Sequence, residues 1–187
     1  MKKLTFPLLS LAFVAISANM NAQDAISDSH NITITIPTVA ILDIEPSASK
    51  NISMAFTEPT EAGLPIQAST NNSLWLNYSS IKTTLIATRH ISVKVETLIP
   101  GVDIKVTAAA PTGGAGTLGT SSAAVTPLTL TGLDQSIISG IGSAYTGSGA
   151  SGSNLTYALV PGNGTSYSDL IATTTATAKV IYTFIDN

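Results

Sequence analysis

The sequence predicts an all-β fold, a two-sheet antiparallel β-sandwich of about seven to nine strands with immunoglobulin-like or jelly-roll topology. Three observations carry this reading. Apolar and polar residues alternate with a period of two in several short runs, turn signals separate those runs, and no stretch sustains a period of 3.6 with helix caps. Thr, Ile and Val, the residues that fit a pleated half-buried surface, are abundant.

The start of the chain stands apart from this pattern. Met1-Lys2-Lys3, the apolar run Leu4 to Ile16 and the small and polar residues through Ala22 have the order of a secretory signal peptide. The apolar run is shorter than the roughly 20 residues that cross a bilayer, and no later segment approaches that length. Cleavage after Ala22 is favoured over Ala18 because it leaves the polar start Gln23-Asp24. The expected organisation is therefore a signal peptide over 1–22 and a single β-sandwich domain over 23–187, exported through the inner membrane to the periplasm, the cell surface or the medium.

Asn31-Ile-Thr-Ile-Thr-Ile36 places Ile32, Ile34 and Ile36 on one face of an extended chain. Pro37 interrupts, and Val39 and Ile41 fall on the opposite parity to Leu42 and Ile44, so a bulge or bend is expected near the proline. Asn51 to Phe56 is a short strand by the same criterion, followed by a loop that Pro59, Gly63 and Pro65 keep irregular. Ser73 to Ser79 alternates Leu74, Leu76 and Tyr78 with Trp75 and Asn77. Ile91, Val93 and Val95, then Val102, Ile104 and Val106 after Pro100-Gly101, predict a hairpin across a type II turn.

Residues 108–124 and 143–153 are almost wholly Ala, Gly, Ser, Thr and Pro, with little to bury, and are expected as flexible loops. Val125 to Leu130 and Leu155 to Val160 are expected strands, the latter ended by Pro161-Gly162-Asn163-Gly164. Leu133 to Ile141 fits either a helical turn or a strand. Thr173 to Asp186 is expected as a strong closing strand, with Ala176, Ala178, Val180, Tyr182 and Phe184 on one face.

Composition narrows the function classes. Of 187 residues only 10% are charged, against about a quarter in ordinary soluble domains, so Ser, Thr, Asn and Gly must supply much of the surface. Without Lys2 and Lys3 the chain has six basic and eleven acidic residues, a net charge of −5, and no basic cluster to hold a phosphate backbone. Nucleic acid is excluded as a partner. The absence of cysteine removes disulfides, thiolate metal sites and cysteine nucleophiles together.

Catalytic patterns are not met. His30 lies in the polar segment before the first strand and His90 on the outward parity of its strand, and no Gly-x-Ser-x-Gly elbow accompanies either. Asp43 and Glu45 share a strand face and have the spacing for a calcium contact or a glycosidase pair, but a solvated face is the simpler expectation; no EF-hand loop is present. Gly113-Gly114-Ala115-Gly116 lacks the Lys-Ser/Thr ending of a phosphate loop. No catalytic residue, cofactor or metal ligand is assigned, and the chain is read as a non-enzyme. Trp75, opposite in parity to Leu74 and Leu76, either packs between the sheets, the favoured expectation, or is partly exposed as a ligand-stacking platform.

The run Asn31-Ile-Thr-Ile-Thr-Ile-Pro-Thr-Val-Ala-Ile-Leu-Asp-Ile44 resembles the N-terminal donor strand of alpha-class chaperone-usher fimbrial subunits, where an Asn-Ile-Thr-Val-type alternation leads through a proline into an aliphatic run. The cysteine-free, Thr/Ser/Ala-rich composition is similar to that class, and the Gln23 start looks like secreted surface sandwiches of the Bacteroidetes. The resemblance implies a structural or adhesive subunit of a fimbria-like surface appendage or matrix that self-associates by strand addition, with Ile32, Ile34 and Ile36 as the donated face. Such a subunit needs an unfilled groove, from which a complete closing strand at 173–186 would depart. The alternative is a secreted non-catalytic binding module, with carbohydrate as the ligand and Trp75 as the stacking residue.

Overall fold

The computed structural model describes residues 26–162 and 167–187. The expected signal peptide lies outside these residues, as does the Asn163-Gly164 part of the turn expected after Leu155 to Val160. The chain divides into two units, 1–35 and 36–187, and every strand among the described residues belongs to the second.

That unit is all-β, with eleven strands in two antiparallel sheets. In chain order they are β1 (Val39–Glu45), β2 (Ser69–Ile81), β3 (Arg89–Val95), β4 (Val102–Ala108), β5 (Ala115–Gly116), β6 (Thr120–Ser121), β7 (Leu128–Thr129), β8 (Gln135–Ile141), β9 (Ala144–Tyr145), β10 (Ser153–Pro161) and β11 (Val180–Asp186). The larger sheet runs β5-β9-β2-β10-β4-β7, with β1 on the other side of β2; the smaller runs β11-β3-β8-β6. The β-sandwich is as expected, and the two short 3-10 turns at Ser47–Ser49 and Tyr167–Asp169 are the helical elements among the described residues.

Between the sheets lies an aliphatic core. Leu74, Leu76, Tyr78, Val106, Ala108, Leu155 and Tyr157 of the larger sheet are buried against Ile91, Val93, Val95, Ile137, Ile138 and Ile141 of the smaller. The inward parity expected for Ile91, Val93 and Val95 of β3 is the one observed, because a period of two leaves each strand one face to bury. A hydrogen bond of 2.7 Å between the Tyr157 and Tyr182 hydroxyls joins the two layers.

Several expectations are corrected. The expected hairpin of β3 and β4 does not form: β3 belongs to the smaller sheet and β4 to the larger. The turn itself is as expected, since Gly101 has φ +75° and the Val102 N–H donates to the Ile99 carbonyl at 3.1 Å. Residues 96–99 give the chain length to pass from one layer to the other, so the turn connects sheets instead of neighbouring strands. Asn51 to Phe56 forms no strand; Ile52 and Met54 nonetheless pack half-buried on the core, and a single bridge joins Thr57 to Gln67.

The strand expected from Asn31 starts only at Val39, past the proline, and the closing strand starts at Val180 instead of Thr173. Val125 to Leu130 shrinks to β7, and Leu133 to Ile141 resolves as the strand β8. The two segments expected as flexible loops contain β5, β6 and β9 and bury Ala123, Thr146 and Ser153. Their pairing runs through backbone hydrogen bonds, which small residues permit without a hydrophobic pattern.

Candidate functional site

Ile32, Ile34 and Ile36 lie in a stretch with neither strand nor helix and are 74%, 75% and 71% exposed. Their alternation thus has no ladder partner and no apolar cover among the described residues. Scattered exposed isoleucines are ordinary, but three at alternate positions within five residues share one face whenever the segment is extended, a row that strand addition would bury.

Two strands of the sandwich leave one edge unpaired and approach each other across the layers. Among the described residues β1 pairs only with β2, Val39 opposite Ile81 through Glu45 opposite Trp75. Among the same residues β11 pairs only with β3, Val180 opposite Val95 through Asp186 opposite Arg89. The two lie side by side at the same margin of the sandwich. On the core-facing side they carry Leu42 and Ile44, and Val180, Tyr182 and Phe184, all packed against the core yet only half-buried. Partial exposure of residues that already touch the core marks the margin where the sandwich is incompletely covered. The strand expected to close the domain is instead one bank of this open margin.

Arg89 fixes the end of the margin. Its side chain is 3% exposed, and its Nε donates to Asp186 Oδ1 at 2.5 Å. Its Nη1 donates to the carbonyls of Val39 and Ile81 and to Ser80 Oγ, and its Nη2 to Thr38 Oγ1. Thr38 Oγ1 in turn donates to the Ile81 carbonyl at 2.9 Å. Arg89 Cζ also stands 5.8 Å from the centre of the Phe184 ring, which packs tilted against Tyr78. One guanidinium therefore ties the first residue of β1, the end of β2 and the end of β11. Sequence reasoning missed this, because an Arg at a strand start reads as a solvated charge.

The phenols near this margin are shifted by their burial. Desolvation pushes Tyr78 and Tyr157 up to about 12, and holds Tyr182 well above the ordinary tyrosine value with the neighbouring Tyr157 hydroxyl adding to the effect.

Trp75 corrects the expectation of core packing. Leu74 and Leu76 take the core, and Trp75 stands half-buried on the outer face of the larger sheet, with Asn77 and Ser79 on the same parity. The paired residues on β1 are Glu45, Asp43 and Ile41. Asn77 lies under the 147–150 loop, and its Nδ2 donates to the Gly149 carbonyl at 2.8 Å. Glu45 Oε2 accepts the Ser47 N–H at 2.8 Å. His30 is exposed outside any element, and His90 is engaged by Asn187, with no serine hydroxyl bonded to it among the described residues. Among the described residues no three His, Cys, Asp or Glu side chains gather, and no helix is long and apolar enough to cross a membrane.

Comparison with known proteins finds no matching family model, no similar curated protein and no similar solved structure.

Proposed function

We propose that the protein is an exported, non-catalytic structural or adhesive subunit of a cell-surface appendage or matrix, and that Asn31–Ile36 of one copy adds as a strand to the open margin of another. The observation that carries this reading is the pairing of two deficits within one chain. A row of three isoleucines has no cover, and β1 and β11 have unpaired edges over half-buried apolar residues. Strand addition answers both: main-chain hydrogen bonds satisfy the edges, and alternate side chains fill the gap in the core.

Magnitudes favour the combined contact over either part alone. Burying three isoleucines yields roughly 5–9 kcal/mol, comparable with the about 4–15 kcal/mol cost of association. Side-chain burial therefore needs the main-chain ladder beside it to give a lasting contact, and loss of the central isoleucine is enough to abolish it.

The test is Ile34→Asp, followed by size-exclusion chromatography for assembly and circular dichroism for folding on the same sample. The reading expects a folded monomer that no longer assembles, because a carboxylate would have to enter the neighbour's apolar margin. Unfolding of the isolated chain would place Ile34 in its own core and overturn the reading.

A further inference from the structure

We infer that the outer face of the β1–β2 ladder is a binding groove for a neutral pyranose sugar, separate from the open margin and independent of the assembly proposal. Two adjoining cavities, of about 170 and 240 Å³, share Glu45 as a common wall. Each is open to solvent and smaller than the roughly 300–1,000 Å³ of a drug-sized ligand site, so a single sugar ring is the scale of ligand that they suit. The first is lined by Asp43, Asn77 and Ser79, the second by Trp75, Pro46 and Ser73, and the 147–150 loop borders both.

The chemistry of the walls selects the ligand. A pyranose has an apolar C–H face and a rim of hydroxyl donors. A half-exposed indole offers the first an aromatic surface, and carboxylates offer the second strong acceptors. The register sets these side by side, Glu45 opposite Trp75 and Asp43 opposite Asn77. Ser47 engages only Oε2 of Glu45, and none of the hydrogen bonds found in the structure engages the Asp43 carboxylate. No Lys or Arg lines either cavity, so an anionic ligand would meet two uncompensated carboxylates. A wholly apolar ligand would strip water from the same groups without replacing their hydrogen bonds. A single aromatic wall is not the cage that holds a quaternary ammonium, and the Ser73 and Ser79 hydroxyls along the groove suit a polyhydroxylated ring better.

The loop is held in place before any ligand arrives. Asn77, itself buried, holds the Gly149 carbonyl, and Ser151 Oγ donates to the Ser148 carbonyl at 2.7 Å. The Thr112 and Gly113 N–H groups donate to the Ser151 carbonyl. A fixed border lowers the ordering cost of binding.

Trp75 is the one tryptophan in the chain, so its fluorescence reports on the groove directly. The full exported chain is titrated with methyl β-D-galactopyranoside, methyl β-D-glucopyranoside and methyl α-D-mannopyranoside, and with choline chloride as the cationic comparison. The expected result is a saturable change with at least one glycoside, at a dissociation constant on the order of 1–10 mM, the range that ligand efficiency sets for so small a molecule. The double variant D43N/E45Q, checked for an unchanged melting curve, should weaken that response about tenfold or more, through loss of charge-assisted hydrogen bonds. No saturable change with any of the three glycosides would overturn the inference. So would a saturable response to choline alone, or an undiminished sugar response in the double variant.

Discussion

The Nε of Arg89 donates to Asp186 Oδ1 at 2.5 Å, joining the first residue of β3 to the last of β11 at a point where the arginine is buried and the aspartate half in water. The asymmetry decides what each partner is worth. Removing the aspartate leaves a cation that still holds three backbone or hydroxyl acceptors in β1 and β2. Removing the arginine strips all of them at once.

Arg89→Leu should therefore destabilise the fold by several kcal/mol, because it takes a donor from the Val39 and Ile81 carbonyls and the Ser80 hydroxyl at about 1–3 kcal/mol for each that is left unsatisfied, and Asp186→Asn by only about 1 kcal/mol, since its own carboxylate is half in water and the guanidinium keeps its other acceptors. Urea unfolding of the two variants checks this. Equal losses would mean that the ion pair, and not the backbone contacts, carries the role of Arg89.

The buried phenols predict loss of stability at high pH. Tyr78 and Tyr157 are held at about 12 in the fold against an ordinary value of 10.0, and Tyr182 is likewise held well above that ordinary value. The folded state therefore keeps protons that the unfolded state releases. Their contribution is fully present below pH 10 and is lost as pH rises through 12, at about 1.4 kcal/mol per pKa unit for each group. Denaturant midpoints should be flat in this respect up to pH 10 and fall above it, with tyrosinate absorbance appearing together with unfolding. Full ionisation of all the tyrosines at pH 11 in a chain that stays folded would contradict it.

Strand parity is tested on neighbouring residues of β3. Val93 is fully buried, and Lys94 is part-exposed and paired with Asp134 at 3.2 Å. Val93→Asp puts an uncompensated carboxylate into the core and should cost several kcal/mol, enough to prevent folding. Lys94→Asp turns a surface attraction into a repulsion and should cost about 1 kcal/mol or less. Thermal melts of the two variants distinguish the cases, and similar losses would mean that the parity is inverted.

Some of this was legible from sequence and some was not, for physical reasons. Alternation around Ile91, Val93 and Val95 identifies a strand and its buried face, because burial on one side imposes a period of two. The same alternation in Val102, Ile104 and Val106 says nothing about which layer the strand joins, so a turn correctly read at Pro100-Gly101 led to the wrong pairing. Ala115, Gly116, Ala144 and Tyr145 pair through the backbone with almost no apolar signature, and a composition argument passes over them. Arg89 and Trp75 invert the usual rules, a buried cation and a half-exposed indole, and both lie where a candidate site was found. Ile32, Ile34 and Ile36 were visible as a pattern from the start; what their pattern lacked was a partner surface, and the unpaired edges of β1 and β11, side by side at one margin, supply a candidate for it.

Assembly by strand addition is tested most directly by mixing. An Ile34→Asp copy keeps an intact β1–β11 margin but has lost its donated face, so it should accept a strand from a wild-type copy and pass none on. The account predicts that wild-type protein assembles and that titrating the variant into it, with particle size followed by light scattering, shortens the assemblies in proportion to the fraction added while the variant's circular dichroism stays that of the wild type. A wild type that stays monomeric, or assemblies of unchanged length with the folded variant excluded from them or built in without effect, would contradict the account.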